Sequence, residues 1–433
     1  MAYTLYDILL HLFTAALVPY FLFKMVSASK YREGIPERFG FIRAGKLKGL
    51  KGGRVVWVHA VSVGETKAVM PILRRLKKKR PEVKVVFSTV TKTGQATAAE
   101  DGRGLIDALI YFPLDLSWAV RRVVRAVGPA AFVVVEKEVW PNCIMTLRKR
   151  GVPVIVVNGT ISDRSFRRFK KLGFFFRDVF GAVSFFGART ESDRRKAMGV
   201  GVRPECAVTT GNIKFDLTPP STDPGRIEGL KKSLGLKDGS TVIVAGSTHA
   251  GEEEAVLKAF VDLRDAFSGL KLVIAPRHPE RFSEVETLIR KTGLAYLRRT
   301  KVKDGGGKGG GAPDVLLLDT VGELMMVYSF STIAVVGGSI VPGIGGHNLL
   351  EPAYYGKPVV YGAHLTTYRE MADMLEEAGG GVRVGDGGLY CALKKLLDDR
   401  ELREQTGERA RGVVESNRGA ADRSVEVIER YLG

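Results

Sequence analysis

The strongest constraint on this chain is an alternation that runs, stops at a cluster of prolines and then starts again. Short apolar runs at Arg54–Val58, Val85–Ser88, Ala108–Phe112, Ala130–Val135 and Val152–Val157 are bounded by polar residues or breakers, with helical patterns such as Ala119–Val127 and Cys143–Arg150 between them. Strands that are apolar along their length need cover on both faces. Helices alternating with them supply it, so the pattern predicts a parallel sheet. After Asp216, Leu-Thr-Pro-Pro-Ser-Thr-Asp-Pro reads as an extended linker. The alternation resumes at Thr241–Ala245, Leu270–Ala275, Asp314–Leu318, Thr332–Val336 and Pro358–Tyr361. In 433 residues this predicts two doubly wound α/β domains facing a cleft. The expected domains are 31–216 and 225–415, joined by a linker at 217–224. A last helix within 416–433 is expected to cross back to the first half.

A hydrophobic fraction of 45% suits a large core, and a formal charge of +19 points to an anionic partner. Cys143, Cys206 and Cys391 have neither metal nor disulfide spacing, which implies a reducing compartment. Residues 1–30 read as a hydrophobic membrane anchor. Leu5 to Val26 is mainly apolar but interrupted by Asp7, His11, Pro19 and Lys24, and a basic flank of Lys30, Arg32, Arg38, Arg43, Lys46 and Lys48 follows. No cleavage site of the signal-peptide kind is present. An uncleaved segment that spans the bilayer or lies in its interface is expected, the alternative being a buried core helix. The run Arg74–Arg80 closes a helix, where it complements the dipole, and an anionic membrane surface is a second partner for it. Lys303–Pro313 holds six glycines without the offsets of a phosphate loop and reads as a surface loop.

Polar residues gather where the strands are expected to end, the edge at which open α/β sheets bind ligands. Ser62-Val-Gly-Glu65 opens a helix just after the first strand. It fits a capping box, and it also places a carboxylate where a reacting group would stand. The helix end would lower that carboxylate's pKa and make it a modest base. Val133-Val-Val leads to Glu136-Lys-Glu138, with period 2 putting both glutamates on one side and an ion pair as the alternative role. Pro276 and Arg277 end another strand, Arg277 being a natural fork for phosphate or carboxylate. Asp319-Thr-Val-Gly-Glu323 repeats the strand-to-helix capping pattern, and its Gly322 would let a ligand approach backbone N–H groups. Asn348 reads as an N-cap for Leu349-Leu350-Glu351, and Glu351 as an acceptor for ribose hydroxyls.

The segments Glu37-Arg-Phe-Gly-Phe41, His59-Ala-Val-Ser-Val-Gly-Glu65, Glu136-Lys-Glu-Val-Trp-Pro-Asn142, Gly211-Asn-Ile-Lys-Phe-Asp216, Gly246-Ser-Thr-His249, Pro276-Arg-His-Pro-Glu-Arg-Phe282, Val321-Gly-Glu-Leu324, Gly337-Gly-Ser339 and Gly345-Gly-His-Asn-Leu-Leu-Glu351 occur in this order. Together they make the chain resemble, over nearly its whole length, the 3-deoxy-D-manno-octulosonic acid (Kdo) transferases that glycosylate lipid A precursors. The resemblance implies a GT-B fold of two Rossmann-like domains and inverting transfer of Kdo from CMP-Kdo to a hydroxyl of the lipid A precursor (lipid IVA). It implies Glu65 as catalytic base and Glu136 and Lys214 as transition-state stabilisers. CMP would bind Pro276, Arg277, Val321, Gly322, Glu323, Asn348, Leu349, Leu350 and Glu351. No metal or other cofactor is expected. The expected setting is the cytoplasmic face of the inner membrane, with its anionic surface as a partner and no nucleic acid. Lys137-Glu138 stands where the family often has Thr-Glu, Ala250 stands where Glu is common, and the Gly305–Gly311 insert is atypical. Another GT-B enzyme using a UDP-sugar on a lipid-linked acceptor is the alternative. A basic, membrane-tethered binding protein would leave Glu65, Glu136 and Lys214 without a role.

Overall fold

The computed structural model describes residues 2–27, 34–50, 52–216, 224–233, 236, 240–301 and 313–433. The expected linker, apart from residue 224, and the glycine-rich segment, apart from Pro313, lie outside them. The chain divides into two compact units, Met1–Asp216 with Asn417–Gly433, and Leu217–Ser416.

In the first unit, β1 (Val55–His59), β2 (Lys84–Thr89), β3 (Ala108–Tyr111), β4 (Ala131–Val135), β5 (Val154–Gly159), β6 (Phe185–Ala188) and β7 (Ala207–Thr209) form a parallel sheet in the order β3-β2-β1-β4-β5-β6-β7. The alternation of side chains along β1 sends Trp57 into one core cluster and Val56 and Val58 into the other. The helix Val63–Lys79 covers one face with Val69, Ile72, Leu73 and Leu76, and the helix Ser117–Val127 covers the other with Val120, Val123, Val124 and Val127. Each such buried aliphatic side chain contributes about 1.5–3 kcal/mol relative to exposure. The C-terminal helix Ala420–Leu432 completes this unit. It buries Val425, Ile428 and Leu432, and the Asp216 carboxylate accepts the N–H groups of Gly419 and Ala421, each at 2.8 Å.

The second unit holds β8 (Val242–Thr248), β9 (Lys271–Pro276), β10 (Tyr296–Arg298), β11 (Val315–Leu317), β12 (Ile333–Val336), β13 (Val359–Gly362) and β14 (Gly381–Val384), parallel in the order β10-β11-β9-β8-β12-β13-β14. In each sheet the winding reverses beside the first strand, between β1 and β4 and between β8 and β12. Beyond the carboxyl ends at such a switch point, the diverging connections leave a crevice.

The N-terminal helix Ala2–Ser27 docks on the first unit through its polar side. The Tyr6 hydroxyl donates to Asp115 Oδ2 (3.2 Å), and Asp7 Oδ1 accepts from Ser117 N (3.3 Å) and Asn142 Nδ2 (2.8 Å). Leu5, Ile8, Leu9, Leu12 and Phe13, at helical spacing, are 52–62% exposed. The helix is therefore not the buried core element considered as an alternative. Among the described residues no helix is both long and apolar enough to cross a membrane, so the spanning form of the expected anchor is not met. Asp7, which breaks the apolar run, is spent on docking.

Candidate active site

In the first unit the switch point is lined by carboxylates. β1 ends at His59, a three-residue turn follows, and Ser62 caps the next helix by accepting the Glu65 N–H at 3.3 Å. Glu65 Oε2 reaches back to the Val61 N–H at 2.7 Å, one residue beyond the cap itself. The capping geometry and the placement of a carboxylate at the sheet edge thus coexist. The expected depression of the Glu65 pKa is not found. Burial raises it, the negative charge of Glu136 adds to the rise, and the Val61 and Ser62 hydrogen bonds oppose it without prevailing. Desolvation outweighs the helix end because the side chain is only 5% exposed.

β4 stops at Val135, and Glu136 turns into the left-handed region with φ 64°. The expected period-2 arrangement of Glu136 and Glu138 therefore does not apply, since neither lies in a strand. Glu136 Oε1 accepts from Asn158 Nδ2 at 3.4 Å and lies 3.8 Å from Lys214 Nζ. Lys137 is not the cation paired with Glu136; that partner comes from the short 3-10 turn Ile213–Phe215. Asn158, itself left-handed at φ 55°, accepts the Ile213 N–H on its Oδ1 at 3.1 Å and so ties the lysine's turn to Glu136. Non-glycine residues held in this region carry strain of about 1–3 kcal/mol each and concentrate at functional sites. Glu138 completes the acidic group. Burial first, and then the Glu65 charge, push its pKa up to about 7, against the pull of Lys137. His59 is a neutral core imidazole, stacked on Phe112 at 3.8 Å and pushed down to about 3 by burial. A cavity of about 60 Å³ runs inward from Glu136 and Glu138 to Phe169, Phe180 and Phe186. Its lining is mainly apolar.

In the second unit Pro276 ends β9 and the exposed Arg277 follows, its N–H bonded to Thr248 O at 2.9 Å. Among the described residues no carboxylate pairs with the Arg277 side chain, so its charge is available to a ligand. Val321 is 82% exposed, and Gly322 takes φ +90° with open space beside it. The capping box expected at Glu323 does not form. The helix begins only at Leu324, and Arg299 grips the Glu323 carboxylate with Nε and Nη2, both at 3.1 Å, while the Thr320 hydroxyl also donates to it. Asn348 Oδ1 accepts the Leu350 N–H at 3.2 Å and its Nδ2 donates to Glu351 Oε1 at 3.2 Å. Leu349 and Leu350 are fully buried and the Leu350 N–H is taken by Asn348, so in this segment Asn348 and Glu351 are the partly exposed residues that a ligand can reach. Among the described residues no group of three His, Cys, Asp or Glu is arranged to hold a metal ion.

Two parallel-sheet Rossmann-like units, each with polar groups gathered at its switch point, define the class of two-domain α/β proteins. A UDP-GlcNAc 2-epimerase from Neisseria meningitidis shares this fold with a TM-score of 0.58 over 88% of this chain and 99% of that one, at 15% identity. A profile described as 3-Deoxy-D-manno-octulosonic-acid transferase (kdotransferase) matches residues 33–217. The 3-deoxy-D-manno-octulosonic acid transferase of Haemophilus influenzae is 33% identical over 94% of this chain and 93% of its own length. That of Bordetella pertussis is 33% identical over 92% of each. The chain belongs to the family of 3-deoxy-D-manno-octulosonic acid transferases. It is a glycosyltransferase that moves Kdo in lipopolysaccharide biosynthesis.

Proposed function

We propose that this enzyme has a GT-B arrangement and transfers Kdo from CMP-Kdo to a hydroxyl of a lipid A precursor such as lipid IVA, in one displacement with inversion and with Glu65 as base. The Glu65 carboxylate carries this reading. It stands at the switch point with one oxygen on the Val61 N–H, and burial beside other carboxylates raises its proton affinity. A carboxylate so tuned is a better base near neutral pH than a free side chain. The acceptor oxygen attacks the anomeric carbon as its proton passes to Glu65, and the bond to the phosphate oxygen breaks with its electron pair leaving on CMP. Glu136, held by Asn158 and Lys214, meets the positive character that develops at the anomeric centre. In the second unit Pro276, Arg277, the main chain of Val321–Glu323 and the segment Asn348–Glu351 bind CMP. Arg277 lies against its phosphate and Glu351 accepts from its ribose. One phosphate is neutralised by such groups without a metal, so chelation by EDTA is expected to leave the rate unchanged. A chelator-sensitive rate restored by a divalent cation would contradict this.

The exposed stripe Leu5, Ile8, Leu9, Leu12 and Phe13 supports an interfacial position for the N-terminal helix on the cytoplasmic face of the inner membrane. The helix Gly173–Gly181, which packs against it, exposes Phe174, and the preceding helix Asp163–Lys171 exposes Arg164, Arg167, Arg168, Lys170 and Lys171. These cations suit anionic headgroups better than the Arg74–Arg80 run, where Arg75, Lys77, Lys79 and Arg80 are paired with acids. Incubation with CMP-Kdo and lipid IVA, with product masses read out, tests donor and acceptor together. A gain of one or more Kdo units is expected. Transfer from a UDP-sugar with no gain from CMP-Kdo would favour the other donor class.

A further inference from the structure

Three histidines outside the residues assigned to CMP converge at the carboxyl edge of the second sheet. His249 follows β8, His278 follows β9, and His347 lies in the loop after β12, so they come from three adjacent strands around the switch point. The His249 and His347 ring planes are 4° from parallel, with centroids 5.0 Å apart and Nε2 atoms facing each other at 2.7 Å, and His278 meets His249 edge-on with ring centroids at 5.2 Å. This arrangement is built. The register of β8 against β9 shifts between Gly246 and Thr248, where Ser247 takes φ 56°, and this irregularity aims His249. The buried Glu252 accepts the His249 N–H at 3.0 Å and those of Gly338, Ser339 and Ile340 at 2.7–3.0 Å, holding the loop that leads to His347. Any Cβ on Gly338, at φ +78°, would lie 2.7 Å from His347 Cδ2.

A contact of 2.7 Å between two Nε2 atoms requires a proton on one and a lone pair on the other. In the neutral pair the accepting ring then carries its single N–H proton on Nδ1, and the donating ring has a bare Nδ1. Among the described residues neither Nδ1 has a partner. One further proton makes both Nδ1 atoms donors while the shared Nε2 hydrogen bond persists. Arg277 and Arg281 face the pair with positive charge and Glu252 with negative, and His278 is the further titratable group beside it. Arg281 is already held by Glu253 at 2.6 Å, and the Glu252 charge is spent on four backbone N–H groups, which leaves Arg277, with no carboxylate partner among the described residues, as the cation beside the pair.

We propose that His249 and His347, with Arg277 beside them, form a subsite for an oxyanion of the donor, and that the pair takes up one proton as the anion binds. This rests on the CMP-Kdo reading. The donor has two oxyanions, its phosphate and the carboxylate of the sugar, and the chemistry is the same for either. Without a ligand, burial holds His347 down at about 4, its histidine neighbours and Arg277 adding to the effect, and His249 is lowered chiefly by burial. The pair is therefore neutral near pH 7 when empty, and a bound anion raises its proton affinity. Because the complex then holds the proton more tightly than the free enzyme, affinity rises as pH falls toward the free value.

The test is titration calorimetry of the full chain and of His249→Gln and His347→Gln with cytidine, CMP and CMP-Kdo, each in two buffers of different ionisation enthalpy. Cytidine affinity unchanged in the variants shows that they fold and keep the nucleoside site. A loss of about tenfold or more for CMP, together with loss of proton uptake, supports the subsite with phosphate as the anion. The same loss for CMP-Kdo alone supports it with the carboxylate. Equal weakening of all three ligands, or no change in any, overturns it. A parent protein that binds neither CMP nor CMP-Kdo would instead reject the donor reading itself.

Discussion

Glu65 is the residue whose environment does most to set the proposed chemistry. In that mechanism its raised pKa has a direct consequence for rate, because a base must be ionised to act. Activity is expected to fall as pH drops through that raised value, so the acid limb of kcat/KM lies above the ordinary carboxylate range. The Glu65 charge raises Glu138, whereas the charge that raises Glu65 is that of Glu136. In Glu136→Gln the acid limb of the residual activity should move to lower pH as that negative neighbour is removed, and an unmoved or rising limb would show that Glu136 does not reach Glu65. Residue by residue, the site was unevenly legible in the sequence. A strand, a turn and S-x-x-E located Glu65 because each has a local signature. The direction of its pKa shift was not legible, because burial comes from tertiary packing. Asn158 left no trace, being an asparagine at a strand end whose role depends on a left-handed backbone. Lys214 was marked only by family resemblance, since a three-residue 3-10 turn has no periodicity to read. At Glu323 the T-x-x-E pattern was present, but Arg299, distant in sequence, took the carboxylate.

Among the elements, the N-terminal helix joins two jobs on opposite sides. One side spends Tyr6 and Asp7 on Asp115, Ser117 and Asn142, at the start of the helix that follows the Glu136–Trp140 segment. The other presents five large apolar side chains. Leu9→Asp with Leu12→Asp should abolish sedimentation with anionic vesicles while leaving the thermal unfolding midpoint near the parent value, because neither side chain is buried. Unchanged sedimentation would remove the interfacial role. The strands show where sequence patterns run out. Central strands such as β1, β4 and β12 are buried along their whole length and announce themselves as apolar runs. The edge strands β7, β10 and β14 are three or four residues long and partly exposed, so their sequences carry no such signal. β6 was also missed: it is buried, but Gly187 interrupts its apolar run.

Taken as a whole molecule, the first unit is assembled from both ends of the chain. Asp216 and the C-terminal helix meet through two 2.8 Å hydrogen bonds, and the helix sends Ile428 into the core behind β4 and β5. Ile428→Ala should cost about 2–5 kcal/mol in unfolding of the first unit, read by chemical denaturation, whereas a loss below 1 kcal/mol would mean the helix is only loosely attached. The proposed mechanism draws on both units, since the proposed base belongs to one and the proposed CMP site to the other. The most direct test is therefore Glu65→Gln, which keeps an oxygen for the Val61 N–H and removes the base. Transfer of Kdo from CMP-Kdo to lipid IVA should slow by about 10²–10⁴-fold with CMP affinity unchanged. Transfer at near the parent rate would show that Glu65 is a helix cap and that the catalytic base lies elsewhere.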